Sequence, residues 1–452
     1  MPSPLRSRLI DLGAETLADA LIDLAEQNKE AQALVLRLTA TPEEGVKRIK
    51  AKLAGLKRSR SFVDWRGAAA FRFKLKSLLQ DVEAAVRDPK QGVGLVKLFF
   101  ETDYSTFNRC DDSSGYIGDI FRFDAQQLFV HYAQACQDKT WVRKLVKELL
   151  TQDGYGVRYP IIEKAHEFLP VAEIRILIEE CQQAADAASE EDDDDARHWI
   201  SLIQSLARQI QDAPRFEQAR LQSCDTPAVP PASACVDIGA VYLESGDPQR
   251  SLIWLLKAGV DQGFGSSERD ALLLKVYGQL GENGKQREIA WRLFRAGRST
   301  NSLETLLDVI GADQWQAVVA EETAMILDEP KLTMGNLSFL IDAKQFDAAE
   351  QYLIKFADDA RSHFYGHLVP CAQVLEVEAK LLGATILYRA LLDDILASAH
   401  TKAYAHGARY LKKLESLAKL VSDWRTLFSH DDYLLQVRKK HGLKYSFWKR
   451  LE

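Results

Sequence analysis

Val241-Tyr242-Leu243-Glu244-Ser245-Gly246 and Val276-Tyr277-Gly278-Gln279-Leu280-Gly281 decide the fold, because they repeat one pattern 35 residues apart. An amphipathic helix is predicted after each copy, over Ser251–Ala258 and over Arg287–Ala296. Weaker copies occur at Val309-Ile310-Gly311, Leu340–Phe346 and Leu381–Ala384. A helix, a tight turn and a second helix at about this spacing are typical of tetratricopeptide-type repeats. The sequence therefore predicts a tetratricopeptide-like α-solenoid in the C-terminal half.

The rest of the chain also has the period of a helix. Apolar residues recur about every 3.6 positions, as at Leu17 and Leu21. One helix start is explicit: Thr41 is suited to the cap, Pro42 to the first helical position, and Glu44 completes a capping box. Further helices are predicted at about 67–86, 89–101, 117–137, 139–151, 159–168, 171–186 and 196–211. We therefore expect an all-α fold.

A proline-rich stretch suggests a division into two domains. Thr226–Ala232 holds three prolines within five residues, and this density excludes a helix. We expect an N-terminal helical domain over residues 1–226 and a tetratricopeptide-like repeat domain over residues 233–452. The alternative is that this stretch is a long loop between two repeats of one array.

The composition indicates neither a partner nor a reaction. The 452 residues include 65 acidic and 58 basic side chains, a net charge of −7. No apolar run reaches the roughly 18 to 20 residues of a membrane span, and we predict a cytoplasmic protein. The six cysteines form no CxxC pair and have no histidine at ligand spacing, so neither disulfides nor a zinc site are expected. HExxH, GxSxG and phosphate-loop motifs are absent, which predicts a non-enzymatic protein without cofactor or metal.

One region departs strongly from the acidic average. Lys47–Lys76 contains eleven lysines and arginines and a single acid, Asp64. Such an excess of positive charge attracts nucleic acid, anionic lipid or an acidic protein tail. The alternative is a solvated helix face whose long side-chain stems cover apolar surface.

A second unusual stretch is the acidic, hydroxyl-rich segment Cys110–Arg122. Asp112, Ser113 or Ser114 is suited to cap the helix that follows, and the glycines at 115 and 118 allow another backbone to approach closely. In a structural interpretation, this loop accepts hydrogen bonds from Arg58, Arg60 or Arg66 and forms a buried polar network with them. In a functional interpretation, it lines a pocket for a ligand or peptide, or an unfamiliar active site. The candidate site residues are Arg58, Arg60, Trp65, Arg66, Asp111, Asp112, Ser113 and Ser114.

The C-terminal stretch Arg438–Arg450 mixes cations with aromatic residues. Such a mixture is suited to stacking on a nucleic acid strand. Alternatively, Leu443, Phe447 and Trp448 cap the exposed end of the solenoid, since terminal repeats must be covered to stay soluble.

The chain resembles an uncharacterised bacterial family of all-helical proteins over nearly its whole length. The resemblance is carried by two N-terminal motifs, Arg58–Arg66 and Asp111–Arg122, together with Arg409-Tyr410, Trp424, Tyr433 and Tyr445–Trp448. The resemblance implies a fold but no activity, and it implies that the two N-terminal motifs meet in space. More distantly, the chain is similar to the helical region of SWIM zinc-finger proteins. It lacks the CxC and CxH pairs of the zinc finger itself, so no metal or nucleic-acid role follows from that similarity.

Two functions are compatible with these features. Helical-hairpin repeats build extended grooves, so the leading hypothesis is a non-enzymatic scaffold that binds a protein or peptide. The alternative is a nucleic-acid-associated protein that uses the basic region 47–76. The oligomeric state is left open by the sequence.

Overall fold

The computed structural model describes residues 4–28, 31–32, 35, 39, 41–151, 153–188, 193–259, 266–362, 365–398 and 401–451. Within these ranges the regular secondary structure is helical, apart from one isolated bridge between Val63 and Cys110. The predicted all-α, solenoid-like fold is confirmed. None of the helices in the described ranges combines the length and the apolar character that a membrane crossing requires.

The chain forms two compact units, Met1–Ala258 and Gly259–Glu452. The α-helices of the first unit are α1 (Pro4–Asp11), α2 (Ala14–Gln27), α3 (Pro42–Arg58), α4 (Ala68–Ala85), α5 (Pro89–Phe100), α6 (Asp103–Phe107), α7 (Tyr116–Asp119), α8 (Gln126–Ala135), α9 (Lys139–Leu150), α10 (Ala165–Phe168), α11 (Val171–Ala187), α12 (Asp193–Gln209), α13 (Ala213–Gln222), α14 (Ala232–Glu244) and α15 (Pro248–Lys257). A π-helical segment, Ile120–Ala125, joins α7 to α8, and a 3-10 segment, Tyr159–Lys164, precedes α10.

The second unit is built in the same way. Its α-helices are α16 (Ser266–Leu280), α17 (Asn283–Ala296), α18 (Thr300–Ile310), α19 (Trp315–Asp328), α20 (Met334–Asp342), α21 (Phe346–Lys355), α22 (Tyr365–Val377), α23 (Leu381–Ala397), α24 (Tyr404–Ala418), α25 (His430–His441) and α26 (Tyr445–Trp448). Short 3-10 segments lie at Ala312–Gln314, Asp359–Ser362 and Thr401–Ala403.

Helices that follow each other in sequence pack on each other, as α11 on α12 and α14 on α15 in the first unit, and α22 on α23 in the second. Each unit buries one apolar face of most of its helices, which gives the first unit a core from Val46 to Trp254 and the second a core from Ala290 to Phe447. Neighbour-on-neighbour packing is the rule of helical-repeat proteins, because no single hairpin can bury its own apolar face.

One turn recurs between paired helices and explains the repeat. A residue one or two positions past the end of the first helix has a positive φ: Gln211 (55°), Gly246 (81°), Gly281 (70°), Lys344 (59°) and Ala379 (54°). In each case the next amide donates to the carbonyl five residues earlier, at 2.7 to 2.9 Å, as from Asp247 to Tyr242. This is the Schellman arrangement, which satisfies the last carbonyls of a helix. The turns at 211, 246 and 281 and those at 344 and 379 lie 35 residues apart.

Only some of the repeated sequence patterns contain this turn. Gly246 and Gly281 were placed correctly in their turns, and Leu340–Phe346 also contains one. Gly311 ends α18 with a φ of 109°. The copy proposed at Leu381–Ala384 is wrong: Gly383 lies inside α23, where a Cβ would meet Leu375 and Leu353 side chains, and the turn lies earlier, at Ala379.

Other local predictions can be compared with the described residues. The capping box at Thr41 is confirmed, with the Thr41 hydroxyl accepting from the Glu44 amide at 3.3 Å. In the C-terminal stretch Phe447 is fully buried, whereas Leu443 is exposed. The compact units divide at Ala258, after α14 and α15, and the division into domains at 226–233 stays a prediction.

Candidate polyanion-binding surface

The two N-terminal motifs meet through their backbones. The Val63 amide donates to the Arg109 carbonyl at 2.8 Å, and the Asp111 amide donates to the Val63 carbonyl at 2.9 Å. This short parallel bridge ties the loop after α3 to the loop before α7. The contact that the family resemblance implied is therefore confirmed.

The acidic loop caps its own helix. Asp112 accepts the Ile117 amide at 2.9 Å and the Gly118 amide at 2.8 Å, while Asp111 accepts the Ser113 amide at 3.1 Å. Carboxylates at a helix start satisfy amides that have no partner within the helix. The N-cap residue is Gly115, so the predicted N-cap at 112, 113 or 114 is wrong, although Asp112 satisfies two amides of the helix start from outside it. Ser113 and Ser114 are exposed.

Of the two interpretations of this loop, the buried polar network with the arginines is wrong. Arg58, Arg60 and Arg66 are exposed, and the Arg58 Nε donates to the Ala54 carbonyl of its own helix at 3.2 Å. The cation near Asp112 is instead Arg122, which approaches because position 118 is glycine: a Cβ there would lie 2.6 Å from Arg122 Nη1. The backbone bridge turns the loop after α3 so that its arginines face solvent.

Large aromatic side chains are exposed around these arginines. The exposed fractions are 66% for Phe62, 66% for Trp65, 74% for Phe73 and 54% for Tyr116. The Arg66 guanidinium lies 5.2 Å from the centre of the Trp65 ring, and that of Arg72 lies 5.2 Å from the Tyr116 ring. We call Arg58, Arg60, Phe62, Trp65, Arg66, Arg72, Phe73 and Tyr116 the basic aromatic surface.

Most cations of the basic region have no carboxylate within ion-pair distance in the part of the chain that the structure describes. Lys52 pairs with Asp81 at 2.7 Å, Lys76 with Asp124 at 2.8 Å, and Lys57 lies 3.6 Å from Glu101. Among the residues with described positions, no carboxylate lies within ion-pair distance of Lys47, Lys50, Arg58, Arg60, Arg66, Arg72 or Lys74. The region therefore keeps most of its positive charge available to an outside anion.

Sequence reasoning missed several residues that the tertiary structure adds here. Arg72 and Tyr116 belong to separate motifs in sequence and stack on each other in space. Arg109 directly precedes the acidic loop, but nothing in its local sequence indicates that it is buried. Burial, and then the Asp112 carboxylate, raise the pKa of the neighbouring Cys110 thiol to about 11, so this thiol is protonated and a poor nucleophile at neutral pH.

An all-α stack of helical hairpins with an exposed basic and aromatic surface is a helical-repeat protein. The chain belongs to a family of unknown function, DUF6880, whose model matches residues 4–226 and again residues 222–450. The chain therefore contains two copies of the family unit. The basic aromatic surface lies entirely in the first copy. No functionally curated protein matches the chain.

Proposed function

We propose that the chain is a non-enzymatic binding protein whose basic aromatic surface holds single-stranded nucleic acid. The observation that carries this proposal is the combination of unpaired arginines with exposed aromatic rings, above all Arg66 against Trp65. Cations neutralise backbone phosphates, and aromatic rings stack on bases, whatever the base sequence. Single strands suit this surface better than duplexes because their bases are free to stack.

Salt dependence tests the electrostatic part of the proposal. A fluorescently labelled single-stranded oligonucleotide of mixed sequence is titrated with the full chain at several salt concentrations. For a single strand, the slope of log affinity against log salt is about −0.7 for each phosphate neutralised. Binding that is undetectable at low salt, or insensitive to salt, contradicts the proposal.

Charge reversal then locates the site. We expect the triple variant Arg58→Glu, Arg60→Glu, Arg66→Glu to lose most of the affinity and to show a shallower salt slope. The matched control reverses three exposed lysines of the second unit, Lys402, Lys412 and Lys419, none of which belongs to the surface. Equal losses in both variants would mean that net charge, not this surface, drives binding.

We propose a protein or peptide scaffold as the second candidate function, supported by a cleft in the second unit. The cleft has a volume of about 530 Å³ and combines apolar residues, such as Phe428, with charges of both signs, such as Asp358 and Lys440. Clefts of mixed chemistry fit peptides, whose own side chains are mixed. Capture from native cytosol with the wild type and with Phe428→Asp tests it: a stoichiometric partner should bind the wild type and be lost from the variant. Equal recovery by both would place the contact elsewhere.

We also propose a cellular location and a repeat type for this protein. We place the protein in the bacterial cytoplasm and describe its hairpins as tetratricopeptide-like, on the strength of the 35-residue spacing of the shared turn. The similarity to the helical region of SWIM zinc-finger proteins stays a prediction. Cell fractionation followed by immunodetection tests the location.

A further inference from the structure

Arg109 is a buried arginine that has no acidic partner among the described residues. Only 8% of the residue is exposed, and its guanidinium lies 4.5 Å from the centre of the Phe71 ring. Its Nη1 donates to the Ser61 carbonyl at 3.4 Å, and its Nε has no partner in the part of the chain that the structure describes. Burial lowers the pKa of this guanidinium, which reflects the cost of keeping a cation there.

Other buried arginines of the same unit are paired. Arg158 holds both Asp103 oxygens, through Nε at 2.8 Å and Nη2 at 2.9 Å. Arg143 contacts Glu173 and Glu180. Buried charges are normally compensated in this way, because an isolated ion away from water is strongly destabilising. Arg109 departs from the rule within its own fold.

A cleft adjoins Arg109 and is lined by cations and hydroxyls. Its volume is about 480 Å³, and its walls include Arg109, Lys74, Lys52, Ser59, Ser61 and Phe71. No carboxylate lines it, whereas three other clefts in the described ranges contain Glu83 and Asp124, Glu217, or Asp358, Asp359 and Asp393. Lys52 is neutralised by Asp81, so the uncompensated charge comes from Arg109 and Lys74.

We propose that this cleft is a binding site for a phosphoryl group, with Arg109 and Lys74 as its cationic ligands. Two positive charges match a phosphate dianion, and the planar guanidinium is suited to two parallel bonds to phosphate oxygens. The serine hydroxyls at 59 and 61 supply further donors. The anion provides the counter-charge that Arg109 lacks within the described chain. This site rests on the geometry at Arg109 and not on the proposed nucleic-acid function.

Inorganic phosphate is the probe for the site. The full chain is titrated with phosphate at constant ionic strength, set with chloride, while the unfolding midpoint and the heat of binding are measured. Phosphate should raise the midpoint, because a ligand that binds only the folded state stabilises it. Lys74→Gln should weaken the phosphate affinity about tenfold, as expected for the loss of one charge-assisted bond. The matched control Lys47→Gln, an unpaired lysine outside the cleft, should leave the affinity unchanged.

Arg109→Met separates a ligand-binding role from a structural one. This variant should lose phosphate binding, and without phosphate its unfolding midpoint should be no lower than that of the wild type, because an unpaired buried cation has been removed. A lower midpoint together with unchanged phosphate affinity would overturn the proposal, as would a wild type that binds no phosphate. Should Arg109→Met not fold, Arg109→Lys must weaken phosphate binding, since it loses the two-pronged contact.

The same variants identify the source of the phosphoryl group. If it is a nucleic acid backbone, phosphate should compete with a bound single strand, and Arg109→Met should weaken strand binding. If it is a small phosphorylated compound, Arg109→Met should abolish phosphate binding and leave strand affinity unchanged. Both results support the site. If the protein binds phosphate but no single strand, the proposed nucleic-acid function is refuted, whereas the proposed phosphoryl site in the cleft is still supported.

Discussion

Arg295 and Arg298 of the second family copy lie against carboxylates, whereas the arginines of the basic aromatic surface in the first copy face solvent. In the second copy Glu322 is fully buried and accepts Arg295 Nε at 2.8 Å and Arg298 Nε at 2.7 Å. Arg298 also contacts Glu329 at 2.8 Å. We call these four residues the arginine cluster. The positive charges of this cluster are compensated by its own carboxylates.

The difference separates cations that stabilise helices from cations that are available to a partner. Removing one partner of a buried ion pair strongly destabilises the fold, because the other charge is left buried and uncompensated. An exposed arginine carries no such constraint, and its removal changes stability little. The variants below test this division, and they run from the largest expected effect to the smallest.

Glu322→Ala should give the largest effect on stability. The change removes the buried partner that Arg295 and Arg298 share. Because Arg298 keeps Glu329 and Arg295 is partly exposed, we expect a loss at the lower end of the usual range, about 3 kcal/mol in the free energy of unfolding. Urea denaturation followed by circular dichroism measures it. The control Glu321→Ala removes an exposed partner of Arg295 and should cost less than about 1 kcal/mol. Similar losses of unfolding free energy in both variants would show that the buried carboxylate stabilises the fold no more than the exposed one.

Trp65→Ala should change binding without changing the fold. The ring is mostly exposed, so the free energy of unfolding should move by less than about 0.5 kcal/mol. Single-strand affinity should fall by about 1 to 3 kcal/mol if bases stack on the ring, as measured by fluorescence anisotropy. Tyr445→Ala is the control, since Tyr445 is 74% exposed but lies in the second unit. A greater loss of single-strand affinity for Tyr445→Ala than for Trp65→Ala would show that the strand binds at the C-terminal stretch.

Ala379→Gly should stabilise the second unit. Ala379 has a φ of 54°, a conformation that costs an L-residue roughly 1 kcal/mol and costs glycine almost nothing. Because glycine also loses more chain entropy on folding, the net gain should be a few tenths of a kcal/mol up to about 1. Thermal unfolding checks it. Ala372→Gly, inside α22, is the control and should lower the midpoint. A destabilised Ala379→Gly variant would show that the turn is not strained.

Low pH should produce the smallest effect, through His430. Burial, and then the Arg389 charge, lower the pKa of this imidazole below its usual 6.5, and neither ring nitrogen has a hydrogen-bond partner. Below about pH 6.5, His430 therefore takes up a proton more readily in the unfolded chain than in the folded chain. Because this favours the unfolded state, the free energy of unfolding should fall as the pH drops below about 6.5. Unfolding midpoints measured over this range for the wild type and His430→Phe check it. A variant as acid-sensitive as the wild type would exclude His430 as the cause.

Local sequence was sufficient for the helices and for the turns that contain glycine. The capping box at Thr41 and the turns at Gly246 and Gly281 follow from residue type alone. The equivalent turns at Lys344 and Ala379 contain no glycine: the first was found only through the weak copy at Leu340–Phe346, and the second was placed four residues too late, at Gly383. Packing of the paired helices imposes the left-handed conformation there against local preference.

The candidate site was predicted in part. The basic excess at 47–76 is a property of composition, and the meeting of the two motifs followed from the family resemblance. The expected bonds from arginine to the acidic loop were wrong, because Asp112 uses its oxygens on its own helix start. Short-range capping competes with long-range ion pairs, and sequence does not show which one a carboxylate makes.

The sequence by itself determined that this protein is a stack of helices with a strongly basic stretch near its start. Helix period, caps and glycine turns act over a few residues, and net local charge needs no structure at all. Only the tertiary structure decided which of the described cations are paired, which are exposed, and that Arg109 is buried away from any described carboxylate. Arg109 meets Phe71 and Ser61, 38 and 48 positions away in the chain, and burial and pairing depend on such distant neighbours.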